Sequence, residues 1–276
     1  MQQSEPPRVK APVSAILLFT VGALFARSAL HLYLSGAGYE SSIAEDLSYF
    51  VMVPITAFLM WPILRETRPA MRYWFRPPVS WPALIAYSVL LGVLFRIIHW
   101  AWLTAGIGFG WYYHPDFPTV ATAQFFFACP PAPVLALAVV VRAILTPLFE
   151  EFVHRGYVLY ALLPRGKVLA VILSAMFFGL MHRPQTIVDA FLVGLVFAVL
   201  TLRLCSLWSP IIAHGTFNLA SIIDWDCFHA SWNPAITTPR HTVIAYIASA
   251  TMFACVAWLM WLLRLAKAGT QIAPRP

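Results

Sequence analysis

Long apolar stretches alternate with short polar ones along the whole chain, and this alternation sets the elements. A bilayer-crossing helix needs about 20 mostly apolar residues, within a range of about 17–25. Eight stretches are candidates: residues 11–34, 49–64, 82–107, 133–163, 168–182, 186–204, 207–223 and 242–265. The second and fifth are short for a span, and the fourth is long, with Pro147 inside it. The pattern predicts an all-α, polytopic membrane helix bundle of about eight transmembrane helices. Residues 1–276 then form a single integral membrane domain. No internal repeat, low-complexity tract or soluble domain interrupts it, and the longest loop has about 25 residues. Any chemistry must therefore sit in or beside the membrane.

Charge refines the topology. Arg8 and Lys10 precede the first stretch, and Arg65, Arg68, Arg72 and Arg76 follow the second. Arg165 and Lys167 follow the fourth, Arg203 ends the sixth, and Arg264, Lys267 and Arg275 lie at the C-terminus. The intervening loops hold Glu40, Glu45 and Asp46, then Asp116, then Asp224 and Asp226 with Arg240. Positive and non-positive loops alternate, so the positive-inside rule places both termini in the cytoplasm. Arg183, after the fifth stretch, is the weak point of that pattern. Arg8 and Lys10 ahead of an apolar run resemble a signal peptide, but the run reaches about Leu34, too long for a signal core. Trp111, Tyr112 and Tyr113 fit an interfacial aromatic belt, and Phe125, Phe126 and Phe127 fit a lipid-facing surface.

Composition excludes whole classes. The apolar fraction is 61% and the charged fraction 11%, with a mean hydropathy of +0.76. Soluble domains are about 45–50% apolar and about 25% charged, so an ordinary soluble enzyme and a disordered protein are both ruled out. The formal net charge of +7 would suggest nucleic acid in a soluble protein. Here the cations flank apolar runs, which points to anionic lipid headgroups and not to nucleic acid. Cys129, Cys205, Cys227 and Cys255 show no CxxC spacing, so neither a zinc ribbon nor a redox pair is suggested.

Polar residues within apolar stretches mark function, since a mid-bilayer charge costs about 2.5–3.5 kcal/mol on insertion scales. Glu150-Glu151-Phe152-Val153-His154-Arg155 is the densest group. The two acids lie about 100° apart on a helix. Glu151 and Arg155 stand at i,i+4 in the favourable acid-first order, which leaves Glu150 free to point elsewhere. Glu150 lies 14 residues before Pro164 and His182 lies 16 after Gly166, roughly 21 and 24 Å along their axes. Antiparallel neighbours would bring the two level. A third group, His214-Gly215-Thr216-Phe217-Asn218, puts His214 and Asn218 on one helix face. Interhelical hydrogen bonding is the bland explanation of such residues. Arg27, His31, Arg96, His99 and Arg142 read as structural: Arg27 and Arg96 as snorkelling or lipid-binding cations, Arg142 as a counter-charge.

The three groups together resemble the type II CAAX prenyl endopeptidase family, the CPBP or ABI group of intramembrane glutamic proteases. The pattern of that family is EExxxR, then FxxxH, then HxxxN or HxxxD, each on its own helix. Residues 150–155, Phe178 to His182 and His214 to Asn218 fit in order. The resemblance covers residues 142–223, the expected catalytic core helices, and leaves the first 140 residues unmatched. It implies a metal-free mechanism without a cofactor, with Glu150, His182, His214 and Asn218 catalytic and Glu151 and Arg155 supporting them.

The residues themselves suit that chemistry. No GxSG, HExxH or GxGD supports a serine, zinc or aspartyl intramembrane protease. Glu150 suits a general base acting on water, with His182 holding that water and relaying its proton. His214 and Asn218 suit hydrogen-bond donors to a developing oxyanion. Two histidines with a glutamate also make a legitimate catalytic zinc set, the competing reading. The expected substrate is a membrane protein or lipidated peptide cut near its C-terminus, prenylated or C-terminally anchored. The expected location is the plasma membrane of a prokaryote. A non-catalytic membrane peptide-binding or immunity protein is the alternative from another class, and a transporter is disfavoured by the absence of repeats.

Overall fold

A computed structural model describes Val9 and residues 13–108, 124–182, 186–231 and 239–265. The chain runs through α1 (Val13–Gly36), α2 (Ser41–Leu59), the short α3 (Trp61–Glu66) and α4 (Arg68–Trp74), then α5 (Trp81–Gly108) and β1 (Gln124–Phe127). A long helical stretch, α6 (Ala132–Arg165), follows. The remaining elements are α7 (Lys167–Leu180), α8 (Ile187–Leu204), α9 (Trp208–Ile222), β2 (Phe228–Ser231) and α10 (Pro239–Leu265). The fold is all-α apart from one small antiparallel pairing of β1 with β2, in register Gln124 to Ser231 and Phe127 to Phe228. Large apolar side chains on many outer faces are exposed, among them Leu18, Phe25, Leu32, Phe58, Val168 and Phe253. An outward apolar surface of this kind needs lipid around it, and the protein is an integral membrane protein.

All eight apolar stretches are helical, and six helices among the described residues are long and apolar enough to cross a membrane. Of the other two, α7 with 14 residues rises about 21 Å, short of the about 30 Å hydrocarbon layer, whereas α9 runs on through a π turn, Ile223–Cys227, that carries Asp224 and Asp226. The second stretch begins earlier than expected. Glu45 and Asp46 belong to α2 and not to a loop, and Arg142 on α6 pairs with Asp46 inside the bundle. Trp111, Tyr112, Tyr113 and Arg183 lie outside the described residues. Phe127 is exposed, but on a strand and not on a helix.

Pro147 shapes α6. The helix widens to π geometry over Val139–Leu145 and again over Phe152–Val158, and π turns of this kind recur at functional sites. A tight turn ending at Gly166, whose φ of 117° favours glycine, sends α7 back along α6. Ser174 Oγ on α7 donates to the carbonyl of His154 on α6 at 2.7 Å. Helix α9 enters closely against α6, where a Cβ at Gly215 would stand 2.5 Å from the Ala143 carbonyl. Such small-residue contacts carry helix association in lipid. Near the α6–α7 turn, Trp74, Tyr157, Tyr160, Leu159 and Leu162 form an apolar core. A second core joins α5, α8 and α10 through Leu91, Phe95, Phe197 and Leu259.

A disulfide joins Cys129 to Cys227, linking the segments before α6 and after α9. Sequence spacing gave no hint of it, since the partners are 98 residues apart and meet beside the β1–β2 pairing.

Candidate active site

The two adjacent glutamates face different surroundings, as their angular separation on a helix requires. Glu151 is fully buried, and so is Arg155. Glu151 Oε1 accepts from Arg155 Nη1 at 3.1 Å and from His214 Nδ1 at 2.9 Å. The Arg155 guanidinium lies over the Phe178 ring, 4.0 Å from its centroid. Glu150 points away from this knot, keeps 20% of its side chain exposed, and places Oε2 3.9 Å from His214 Nε2. His214 thus stands between the two carboxylates. Glu151, held beside Arg155, accepts the Nδ1 proton, so the second ring nitrogen is the one turned toward Glu150.

His182 follows the last turn of α7. Its Nδ1 lies 2.7 Å from the Phe178 carbonyl, an acceptor, so Nδ1 carries the hydrogen and Nε2 is left for other partners. Among the described residues no hydrogen bond or ion pair joins it to Glu150. Phe178 links the cluster instead. Its ring centroid lies 5.3 Å from the ring of His154, 4.6 Å from His182 and 5.9 Å from His214. One aromatic side chain thus sets the spacing of three imidazoles.

Asn218 has a partner that Pro147 explains. In the π turn, Thr146 N–H bonds to the Val141 carbonyl five residues back. The next bond in that series would run from residue 147 to the Arg142 carbonyl, but proline has no N–H. Asn218 Nδ2 supplies the missing donor at 2.8 Å. One amide hydrogen of Asn218 is therefore engaged in closing α6, and the amide carries a second.

A cavity opens beside Glu150 between α1, α2 and α6. Its polar lining is Thr20, Arg27, Tyr49, Thr56, Glu150 and His154. His182, His214 and Asn218 are not among its lining residues, so the four expected catalytic residues do not share this one chamber. His154 lies inside the first motif and escaped the sequence reading, although its i+4 spacing from Glu150 was a visible signal. It is 2% exposed, and its Nδ1 has no partner.

Among the described residues, Arg27, Arg96, His99 and Arg142 are paired within the protein, whereas His31 Nδ1 is buried without a partner. Arg142 binds Asp46 through Nε at 2.7 Å and Nη2 at 2.9 Å, and reaches Asp226 at 3.1 Å. It is a counter-charge, but not to Glu150. Arg96 Nε donates to Asp224 at 2.6 Å and does not snorkel to lipid. His99 lies 3.3 Å from Asp189, and Arg27 3.5 Å from Glu45. A buried cation finds better solvation in a carboxylate than in distant headgroups. Among the described residues, no three His, Cys, Asp or Glu side chains gather in a set that would hold a metal ion.

No curated protein and no solved structure matches the chain. Residues 132–220, from the start of α6 through Asn218 on α9, match the family model of the type II CAAX prenyl endopeptidase, Rce1-like. That stretch contains all three motifs, and over these residues the chain is similar to the Rce1-like type II CAAX prenyl endopeptidases.

Proposed function

We propose that this protein is an intramembrane glutamic endopeptidase that cuts a membrane-associated substrate near its C-terminus. The observation that carries the reading is the pair of unlike glutamates around one histidine. Glu151 is neutralised by Arg155 and fixes His214, while Glu150, at the cavity wall, faces the other nitrogen of the same ring. In the proposed reaction Glu150 takes a proton from water, and the hydroxide attacks the scissile carbonyl. The free amide hydrogen of Asn218 donates to the resulting oxyanion, joined by His214 Nε2 in the imidazolium form, which carries a hydrogen on both ring nitrogens. His182 offers Nε2 to the same water. Collapse of the tetrahedral intermediate breaks the C–N bond, and the proton held by Glu150 passes to the leaving amine.

The proposed substrate is a membrane protein or lipidated peptide, prenylated or C-terminally anchored, that reaches Glu150 from the lipid. The match over residues 132–220 supports this class. The proposed setting is a prokaryotic plasma membrane with both termini cytoplasmic. The disulfide supports that orientation: Cys129 and Cys227 fall in the two loops that the charge pattern puts outside the cytoplasm, where disulfides persist.

Mass spectrometry of membrane proteins from cells carrying the wild type or Glu150→Ala tests the reading. A substrate shortened at its C-terminus only with the wild type is expected. Identical C-termini in both would end it. Activity that is lost to phenanthroline and restored by zinc would transfer the chemistry to a metal.

A further inference from the structure

We propose that the cavity between α1, α2 and α6 receives the substrate's C-terminal residues, and that Arg27 on α1 binds their free α-carboxylate. This rests on the protease reading above and extends it to a part of the chain outside residues 132–220.

The cavity is continuous from Glu150 to Arg27 and mixes two kinds of wall. Leu24, Met52, Val53, Phe149 and Met181 supply apolar surface for apolar side chains. Among the described lining residues Arg27 is the only lysine or arginine. A negatively charged chain end that enters beside the Glu150 carboxylate meets repulsion and loses its water. In such surroundings it needs a cation, and a guanidinium suits a carboxylate best because its donors form a planar fork. Arg27 has donors to spare. Nη1 reaches Glu45 at 3.5 Å, a long contact, and Nε is buried without a partner. The guanidinium rests on the Tyr49 ring, 4.3 Å from its centroid, which fixes its plane without using its hydrogens. Intramembrane cations elsewhere in the bundle are held more closely: Arg142 bidentately by Asp46, and Arg96 at 2.6 Å by Asp224.

The test uses the full-length Glu150→Gln protein in nanodiscs, so that binding is read without turnover. Three probes differ only at their ends: a farnesyl-cysteine peptide with three aliphatic residues as the free acid, its C-terminal carboxamide, and a carboxamide with Glu as the last residue. The free acid is expected to bind about 10- to 100-fold tighter than its amide, the weight of a charge-assisted hydrogen bond. Adding Arg27→Gln should erase that difference, and Arg27→Lys should keep part of it. The comparison of acid with amide needs no change at Arg27, so it stands even where Arg27→Gln folds poorly. Equal binding of acid and amide, or no binding of either, overturns the proposal. A Glu-ended amide that binds as the free acid does would assign the cavity to acidic side chains and overturn the assignment to the chain end. Cleavage by the wild type is scored separately. Cleavage without acid preference removes the role of Arg27 and leaves the protease, whereas acid preference without cleavage keeps the carboxylate site and removes the protease.

Discussion

The two ends of the bundle around Glu150 are built from opposite materials. Toward the α6–α7 turn, aromatic rings pack edge to face: Trp74 with Tyr157 at 5.4 Å, Trp74 with Phe152 at 5.9 Å, and Phe152 with Tyr157 at 5.2 Å. Toward the disulfide, the contacts are polar: the ion pairs of Arg142 with Asp46 and Asp226 and of Arg96 with Asp224, and the contact of His99 with Asp189. Lipid gives helices no hydrophobic reason to associate, so packing and polar pairs must do it. The aromatic end packs α4 against α6 by shape. The ionic end ties α2, α5, α6 and the segment after α9 to one another at fixed points. The glutamate–histidine cluster sits between them, where a rigid floor meets a set of directional tethers, and this placement suits a site whose groups must hold a fixed geometry.

Substitutions can break that contrast, and the largest effect is expected within the cluster itself. Arg155→Met leaves Glu151 buried without its cation, which costs about 3–5 kcal/mol. Thermal unfolding in detergent should show a large loss, and an unchanged midpoint would mean that Glu151 is not charged in the fold. Cys129→Ser opens a closure of 98 residues and should cost about 2–4 kcal/mol, with matching loss when the wild type is unfolded under reductant. At the ionic end, Asp46→Asn removes a charged partner of Arg142, a change of about 1.5–3 kcal/mol. Because Arg142 also supplies the carbonyl that orients Asn218, turnover should fall along with stability. A loss of stability with kcat unchanged would separate the tethers from the site. The smallest effect belongs to the hydroxyl pair of Ser88 and Ser209, 2.8 Å apart and buried between α5 and α9. Ser88→Ala should cost about 0.6 kcal/mol, the average for interhelical hydrogen bonds in membranes.

Much of the bundle was legible in the chain because a span announces itself by length and apolarity. Glu151 with Arg155 was legible too, since i,i+4 spacing alone brings the pair together. What escaped depends on partners far apart in sequence. Nothing local shows that Asp46 faces Arg142 across 96 residues, or that Cys129 meets Cys227, so α2 was started too late and the disulfide was missed. Asn218 escaped differently. Its spacing from His214 suggested a shared task, but its partner follows from the proline at position 147, which orphans a carbonyl on another helix. His154 lay in plain sight within the first motif, and only the cavity distinguishes it from an ordinary buried histidine.

The division of labour between the two glutamates is tested most directly by turnover and unfolding of purified Glu150→Gln and Glu151→Gln side by side. Each uses a C-terminal peptide that the wild type cleaves. Glu150→Gln should unfold within about 1 kcal/mol of the wild type, as partly exposed positions do, and should show no cleavage. Glu151→Gln should lose stability, with Arg155 left unpaired, before any loss of chemistry is scored. Cleavage by Glu150→Gln at the wild-type rate would contradict the assignment of Glu150 as the base.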